Sequence, residues 1–455
     1  MKRRAAMLCL LALIAAGALR ARPAQRATAS LVDVQNVIVI YQENWSFDSL
    51  FGFFPGANGI ANAKDDTIRQ EDKNGKAYTT LPQPVDNRLN PPAPDPRFPA
   101  SLPVAPFDVA KYVKPEDTTG NPLHRFYQQQ LQINNGDMNR FVAWSDASGL
   151  AMSYYDATNF PEGKLAQEFT LADNFFMAAF GGSFLNHMWL ICACTPTWPN
   201  APADMVAQVE KDGSIIKDGA VTSDGFVVNN VNPLSMPYPA NATGPARRLP
   251  PQTMPTIGDR LTGRNIDWRY YSGGYDNAMA RKPGGLFQVH HQPFVYFEKY
   301  VAGTEFNKEF LKDEKVFYDD LKKNTLPSVS FIKLIGEENE HPGYASLMRG
   351  QQKVAQIVDL VRKSPYWNKS VIFITYDDNG GRWDHVAPPK IDRWGPGVRI
   401  PAIIVSPFAK KNYVDHTLYD TTSIMAFIER RWNLRPVGTR DARMSDLTSA
   451  FEFTR

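Results

Sequence analysis

The sequence predicts an α/β fold, a mostly parallel central sheet flanked by helices, with a functional site at the carboxyl edge of its strands. Three observations predict it. Residues 36–41 (NVIVIY), 328–334 (SVSFIKL) and 371–376 (VIFITY) are apolar, β-branched runs, too short for helices and apolar enough for strands buried on both faces. Each run opens at once into polar residues: Gln42-Glu43-Asn44, then Glu337 to His341, then Asp377-Asp378. Amphipathic stretches separate the runs, the clearest being 351–363, with Val354, Ile357, Val358 and Val361 on one face and Pro365 as its stop.

At the N-terminus, Lys2-Arg3-Arg4 followed by the apolar residues 5–19 has the layout of a secretory signal. Its core is too short for a membrane span. Residues 1–29 are therefore expected to be a signal peptide, and the mature protein to be secreted or periplasmic. That segment carries six basic residues and no acidic one, so its removal turns the net charge from +3 to −3. Mild acidity argues against a nucleic-acid partner. No later apolar run reaches spanning length, so no stable membrane span is expected, and residues 30–455 read as one large α/β domain. Cys192 and Cys194 either bridge in an oxidising compartment or stay as two buried thiols.

Residues 81–106 hold nine prolines and no periodicity. With Phe98 inside them and Phe107 and Tyr112 just beyond, they predict an ordered surface loop and not a free linker. Residues 124–143 predict a helix, with Phe126, Gln130 and Ile133 on one face and Gly136 as an interruption. In 178–195, Gly181-Gly182 leads into Ser183 and a buried apolar helix over 184–192. The serine is then either a helix N-cap or a nucleophile beside free backbone N–H donors.

Residues 196–255, rich in Pro, Asn and Gly, carry Asp212-Gly213, Asp218-Gly219 and Asp224-Gly225, the turn signals of a hairpin-rich insertion. Sheet character resumes at 267–271 (DWRYY). His290 and His291 fall in a loop that Pro293 keeps out of helix. Residues 400–405 predict a strand, and 421–432 a helix with Ile424, Phe427, Ile428 and Trp432 in the core.

Adjacent carboxylates at Asp377-Asp378 repel each other unless a cation lies between them, so the pair suggests a divalent metal site; an ordinary solvated turn is the alternative. Glu43-Asn44, Ser183, His341 and Asp377-Asp378 all fall at comparable places in the fold, which favours one shared site. A hydroxyl beside N–H donors and a cation suits phosphoryl transfer.

These motifs carry a resemblance. Gln42-Glu43-Asn44 with Ser46-Phe47-Asp48, Glu340-His341-Pro342, and Thr375 to Gly381 with Trp383-Asp384-His385-Val386 resemble the bacterial phosphoesterase family. That family groups secreted acid phosphatases with bacterial phospholipases C inside the alkaline phosphatase superfamily. Residues 180–187 (FGGSFLNH) and 290–294 (HHQPF) look closer to the acid phosphatase branch; the phospholipase branch has a threonine followed by Pro-Asn-Arg in place of Ser183.

The resemblance implies an alkaline phosphatase-like core in which Glu43, Asn44, Asp377, Asp378 and Ser183 surround a divalent metal ion and Ser183 is the nucleophile. It also implies that His124, His341 and one of His290 or His291 hold the phosphate. Where the wider superfamily has Asp-His, this chain has Asp377-Asp378. That oxygen-only donor set suits Ca²⁺, Mg²⁺ or Mn²⁺ better than zinc. Glu337 and His341 keep a spacing that could assist a second ion. The implied function is an exported, metal-dependent acid phosphatase that hydrolyses small-molecule phosphate monoesters through a covalent phosphoserine.

The alternative is a phospholipase C cleaving phosphatidylcholine-type lipids, which requires an exposed rim of Phe53, Phe54, Phe294 and Tyr296. His124 and His341 are expected to act as imidazolium, so that activity falls as pH rises through about 6 to 7. His187 and His416 are expected to be structural, and His385 to order the Asp377-Asp378 turn.

Overall fold

Buried on both faces, the apolar runs can satisfy their backbone groups only by pairing with one another. The computed structural model describes residues 29–239, 241–282 and 285–453; apart from Ala29, the expected signal segment lies outside them. The central sheet contains, in chain order, β1 (Asn36–Gln42), β2 (Thr170–Ala172), β3 (Trp268–Ser272), β4 (Leu311–Asp313), β5 (Val329–Lys333), β6 (Ser370–Tyr376), β7 (Ala402–Val405) and β8 (Tyr413–Asp415). Their spatial order is β4-β3-β5-β1-β6-β7-β2-β8. All run parallel except β7, which is antiparallel to both its neighbours. β1, β5 and β6 are buried along their whole length, Ser330 and Lys333 of β5 included.

Five helices position the site: α1 (Phe126–Ile133), α2 (Pro161–Glu168), α3 (Ser183–Cys192), α4 (Leu347–Arg362) and α5 (Thr422–Trp432). Alternation along β1 assigns them to opposite faces. Tyr41 Oη donates to the Asn186 carbonyl of α3 at 3.4 Å, while the next residue, Gln42, turns the other way with its register partner Tyr376, whose hydroxyl donates to Glu162 of α2 at 2.9 Å. α4 packs on α2, and α5 on α3.

The segment expected to be helical over 124–143 is helical only to Ile133. Asn134 and Asn135 take left-handed conformations (φ 47° and 58°), a stop that asparagine tolerates. The buried face of α1 also differs from the expected one: Gln129 and Gln132 are fully buried, and Gln130 is only half-buried. α4 begins four residues ahead of 351, because Ser346 caps it by accepting the Arg349 N–H at 3.1 Å.

In 81–106, two short ladders (Leu81–Pro82 with Ser101–Leu102, Val85–Asp86 with Ala93–Pro94) and a buried Phe98 packed on Tyr112 make an ordered loop. The described residues of 196–255 hold one hairpin, Gln208–Val209 with Ile215–Lys217, among turns and isolated bridges. Cys192 and Cys194 form a disulfide at the end of α3. Among the described residues no helix is long and apolar enough to cross a membrane.

Candidate active site

β1 lies between β5 and β6, so whatever follows these three strands at their carboxyl ends is brought together. Register pairs Gln42 with Tyr376, and the ladder continues one step beyond it, with Asp377 N–H donating to the Gln42 carbonyl at 3.0 Å. The Asn44 N–H donates to Asp377 Oδ1 at 3.1 Å. Asn44 itself sits at φ 65°, where asparagine is tolerated. The turn after Asp378 presses on it so closely that a Cβ at Gly380 would lie 2.3 Å from the Asn44 carbonyl oxygen; only glycine fits. Gln129 of α1 ties this turn to the loop before α3: its Nε2 donates to Asn379 Oδ1 at 2.7 Å, and its Oε1 accepts the Gly181 N–H at 3.1 Å.

Ser183 is the first residue of α3, and the N-cap is Gly182. The serine hydroxyl is therefore not used in capping. It donates to Asp378 Oδ2 at 3.2 Å and lies 3.5 Å from Glu43 Oε2.

The charges around it are unbalanced. Glu43 Oε1 is ion-paired to Lys333 Nζ at 2.5 Å and lies 2.8 Å from His291 Nε2, a contact that lacks hydrogen-bond alignment. Against the burial that would raise it, His291 and Lys333 hold Glu43 well below the usual carboxylate range. Burial, and then the nearby Glu43, push Asp377 up to about 7; burial, and then Asp377, push Asp378 well above its ordinary value. Asp377 Oδ2 and Asn44 Oδ1 are buried and accept no hydrogen bond. Three carboxylates against one fixed lysine, with two bare oxygen acceptors among them, form a donor set that fits a divalent cation.

Two histidines bring nitrogen to the same place: Glu43, His187 and His291 each offer a ligand atom within 4.8 Å of the others. The set is thus not purely oxygen, as the sequence had suggested. His187 Nδ1 lies 2.7 Å from the Ser183 carbonyl, always an acceptor, so the ring proton is on Nδ1 and Nε2 is a buried lone pair without a partner. Expected to be structural, His187 joins the site, and its signal was the four-residue spacing from Ser183 on one helix face. Lys333 was also missed; a lysine closing an otherwise apolar strand is its signal.

By the same reasoning, the Pro122 carbonyl 2.7 Å from His124 Nδ1 leaves Nε2 as the acceptor, 3.2 Å from Asn44 Nδ2. The Gly343 N–H donates to His341 Nδ1 at 3.2 Å, which puts the His341 proton on Nε2. Ser183, His124, His290, His341 and Tyr344 line a polar cavity of about 350 Å³. His291 sits behind His290, against Glu43.

Burial lowers His124 and His291, lowers His187 and His290 further, and pushes His341 down to about 3. Burial thus favours the neutral form of each ring over the imidazolium the sequence suggested. A stability prediction follows from the sign. Below the ordinary value of 6.5, an unfolded chain takes up a proton that folded His341 refuses, so this contribution to stability is lost as pH falls from about 6.5 toward 3. The melting temperature of His341→Gln should therefore fall less steeply than that of the native chain over this window. Parallel curves would contradict the assignment.

Some expected partners are elsewhere. Glu337 accepts the Leu286 N–H at 3.2 Å. His385 does not touch the Asp377-Asp378 turn. Its Nδ1 lies 2.6 Å from Asp48 Oδ2, and Arg399 pairs with Asp48 at 3.0 Å and with Asp384 at 2.9 Å, so a cation already occupies that carboxylate pair. His416 pairs with Asp173. Phe54, Phe294 and Tyr296 are core residues, and of the four expected rim aromatics only Phe53 is exposed.

Comparisons with known proteins bear on the family of the chain. The phosphoesterase family profile matches residues 34–435. The non-hemolytic phospholipase C of Pseudomonas aeruginosa is 25% identical over 478 residues, covering 95% of this chain and 59% of that protein. Phospholipase C A of Mycobacterium tuberculosis is 23% identical over 465 residues, covering 93% and 78%. The chain thus spans less than two thirds of the Pseudomonas relative. A Vibrio parahaemolyticus structure in the alkaline phosphatase superfamily aligns at 10% identity over 73% of this chain and 72% of its own, with a TM-score of 0.36.

Proposed function

The chain belongs to the phosphoesterase family, and from that premise we propose that it is a metal-dependent phosphoric ester hydrolase of phospholipase C type with Ser183 as nucleophile. The observation that carries this reading is the Ser183 hydroxyl, free of capping and set between Asp378 and Glu43 at the base of a polar cavity. A divalent cation held by Glu43, Asn44, Asp377, Asp378 and Ser183, with Ca²⁺, Mg²⁺ or Mn²⁺ fitting those oxygen donors and His187 and His291 adding nitrogen beside them, would neutralise the phosphate and lower the Ser183 pKa.

Ser183 gives its proton to the Asp378 carboxylate as Oγ bonds to phosphorus and the bond to the ester alcohol breaks. The His341 Nε2–H donates to phosphate oxygen. The departing alcohol takes a proton from solvent, and Asp378 releases the serine proton as the site is regenerated. Water then cleaves the phosphoserine. His124 and His290 complete the phosphate cradle, and the disulfide at Cys192–Cys194 suits the oxidising compartment of an exported chain.

The relatives' names favour the phospholipase C reading over acid phosphatase. Burial of Phe54, Phe294 and Tyr296, which removes the lipid-facing rim, favours the second reading, a phosphatase of soluble monoesters. A panel of phosphatidylcholine vesicles, phosphatidylglycerol vesicles and p-nitrophenyl phosphate decides between them. Diacylglycerol release is the expected result. Turnover of the monoester alone selects acid phosphatase, and turnover of none contradicts both.

A further inference from the structure

A second cavity, of about 440 Å³, adjoins the catalytic pocket, and none of the described residues that line it is acidic. Gln288 belongs to the walls of both; Phe287 and Val289 face the second cavity, and His290 the first. We propose that this cavity, built on Arg281 and Lys282 around Tyr238 with Arg248 behind, binds a second anionic group, a phosphate or carboxylate, carried by the same ester. This deepens the phosphoesterase reading and rests on it.

Charge is the first argument. Arg248 and Arg281 lie over the one Tyr238 ring, 4.1 and 4.9 Å from its centre. Arg281 Nη2 donates to Tyr238 Oη at 2.7 Å, and Arg248 Nε donates to the Thr243 carbonyl at 3.0 Å. None of Arg248, Arg281 and Lys282 has a carboxylate partner among the described residues. Arg393 and Arg362, by contrast, are paired with Asp224 and Glu168. Guanidiniums held on one ring with no counter-charge repel each other, and an anion bound at Arg281 on the cavity side offsets that repulsion with charge-assisted, planar hydrogen bonds.

Backbone strain is the second argument. Arg281 follows the C-cap of the short helix Tyr275–Met279 at φ 52°, a left-handed position where glycine or asparagine normally sits. An arginine there is strained, and its guanidinium is nonetheless fixed on Tyr238. Such strain at a cavity wall suits a role for Arg281 in binding.

Selectivity follows from both. A quaternary ammonium group is best held by an open aromatic face in a negative surround, whereas the Tyr238 ring already carries two guanidiniums. The cavity therefore selects acidic esters and disfavours choline esters.

Turnover and binding test this independently. In the native chain, kcat/KM for fructose bisphosphate should exceed that for fructose monophosphate and phosphocholine, and Arg281→Glu should lower the bisphosphate-to-monophosphate ratio at least roughly tenfold. An unchanged ratio, or a native preference for phosphocholine, overturns the proposal.

By titration calorimetry, an alkane bisphosphonate, which is not hydrolysed, should bind the native chain more tightly than the matching alkylphosphonate, and Arg281→Glu should abolish the difference. Equal native affinities overturn the proposal. Lys282→Glu, at an exposed position, serves the same purpose if Arg281→Glu does not fold. Because the binding comparison needs no turnover, absence of all hydrolysis with the affinity difference intact would count against the phosphoesterase reading and not against this site.

Discussion

Ser183→Ala is expected to fold normally, to bind inorganic phosphate and to lose at least roughly three orders of magnitude in turnover. The serine hydroxyl makes no capping bond, since the N-cap is Gly182, and alanine is a better helix former than serine. Its contacts are with Asp378 and Glu43, which it does not need for burial. Were Ser183 a cap, the same change would cost about 1 kcal/mol of stability and leave turnover nearly intact. Melting temperature and single-turnover rate, measured on this variant, separate the two cases because each predicts the opposite pair of results.

Removal of divalent ions is expected to abolish turnover and to lower the melting temperature. Without a cation, Glu43, Asp377 and Asp378 face one another with Lys333 as counter-charge, and both aspartates then hold their protons far more tightly than usual. A bound ion stabilises the folded state by mass action, so the melting temperature should rise again as Ca²⁺, Mg²⁺ or Mn²⁺ is added back. Elemental analysis before and after dialysis against chelator gives the identity of the ion. Full activity and an unchanged melting temperature in metal-free protein would contradict the assignment.

Much of this site was legible in the sequence because it is written at strand ends. The runs 36–41 and 371–376 end where they should, and their partner register alone carries Glu43 to Asp377. What escaped depends on neighbours distant in the chain. Lys333 becomes an ion-pair partner only because β5 lies next to β1. His187 resembles any core histidine until its Nδ1 is seen to be taken by a carbonyl and its Nε2 left bare.

Burial of Phe294 and Tyr296 was unreadable for a related reason: a short apolar run in a loop has no period that says which way it faces, and tertiary packing decides. The early end of α1 was readable in Asn134-Asn135, which was passed over for Gly136. His385 was misplaced because proximity in sequence to Asp378 was taken for proximity in space; Gly380 and Gly381 turn the chain away, toward Asp48 and Arg399.

The central claim is that Ser183 is the atom-bearing group that attacks phosphorus, and its most direct test is to trap the intermediate. Native protein mixed with a labelled phosphate ester, quenched in acid within the first turnover and cleaved to peptides, should carry the label on Ser183. Label on a histidine such as His124 or His341, or no protein-bound label in a burst of product, would contradict it.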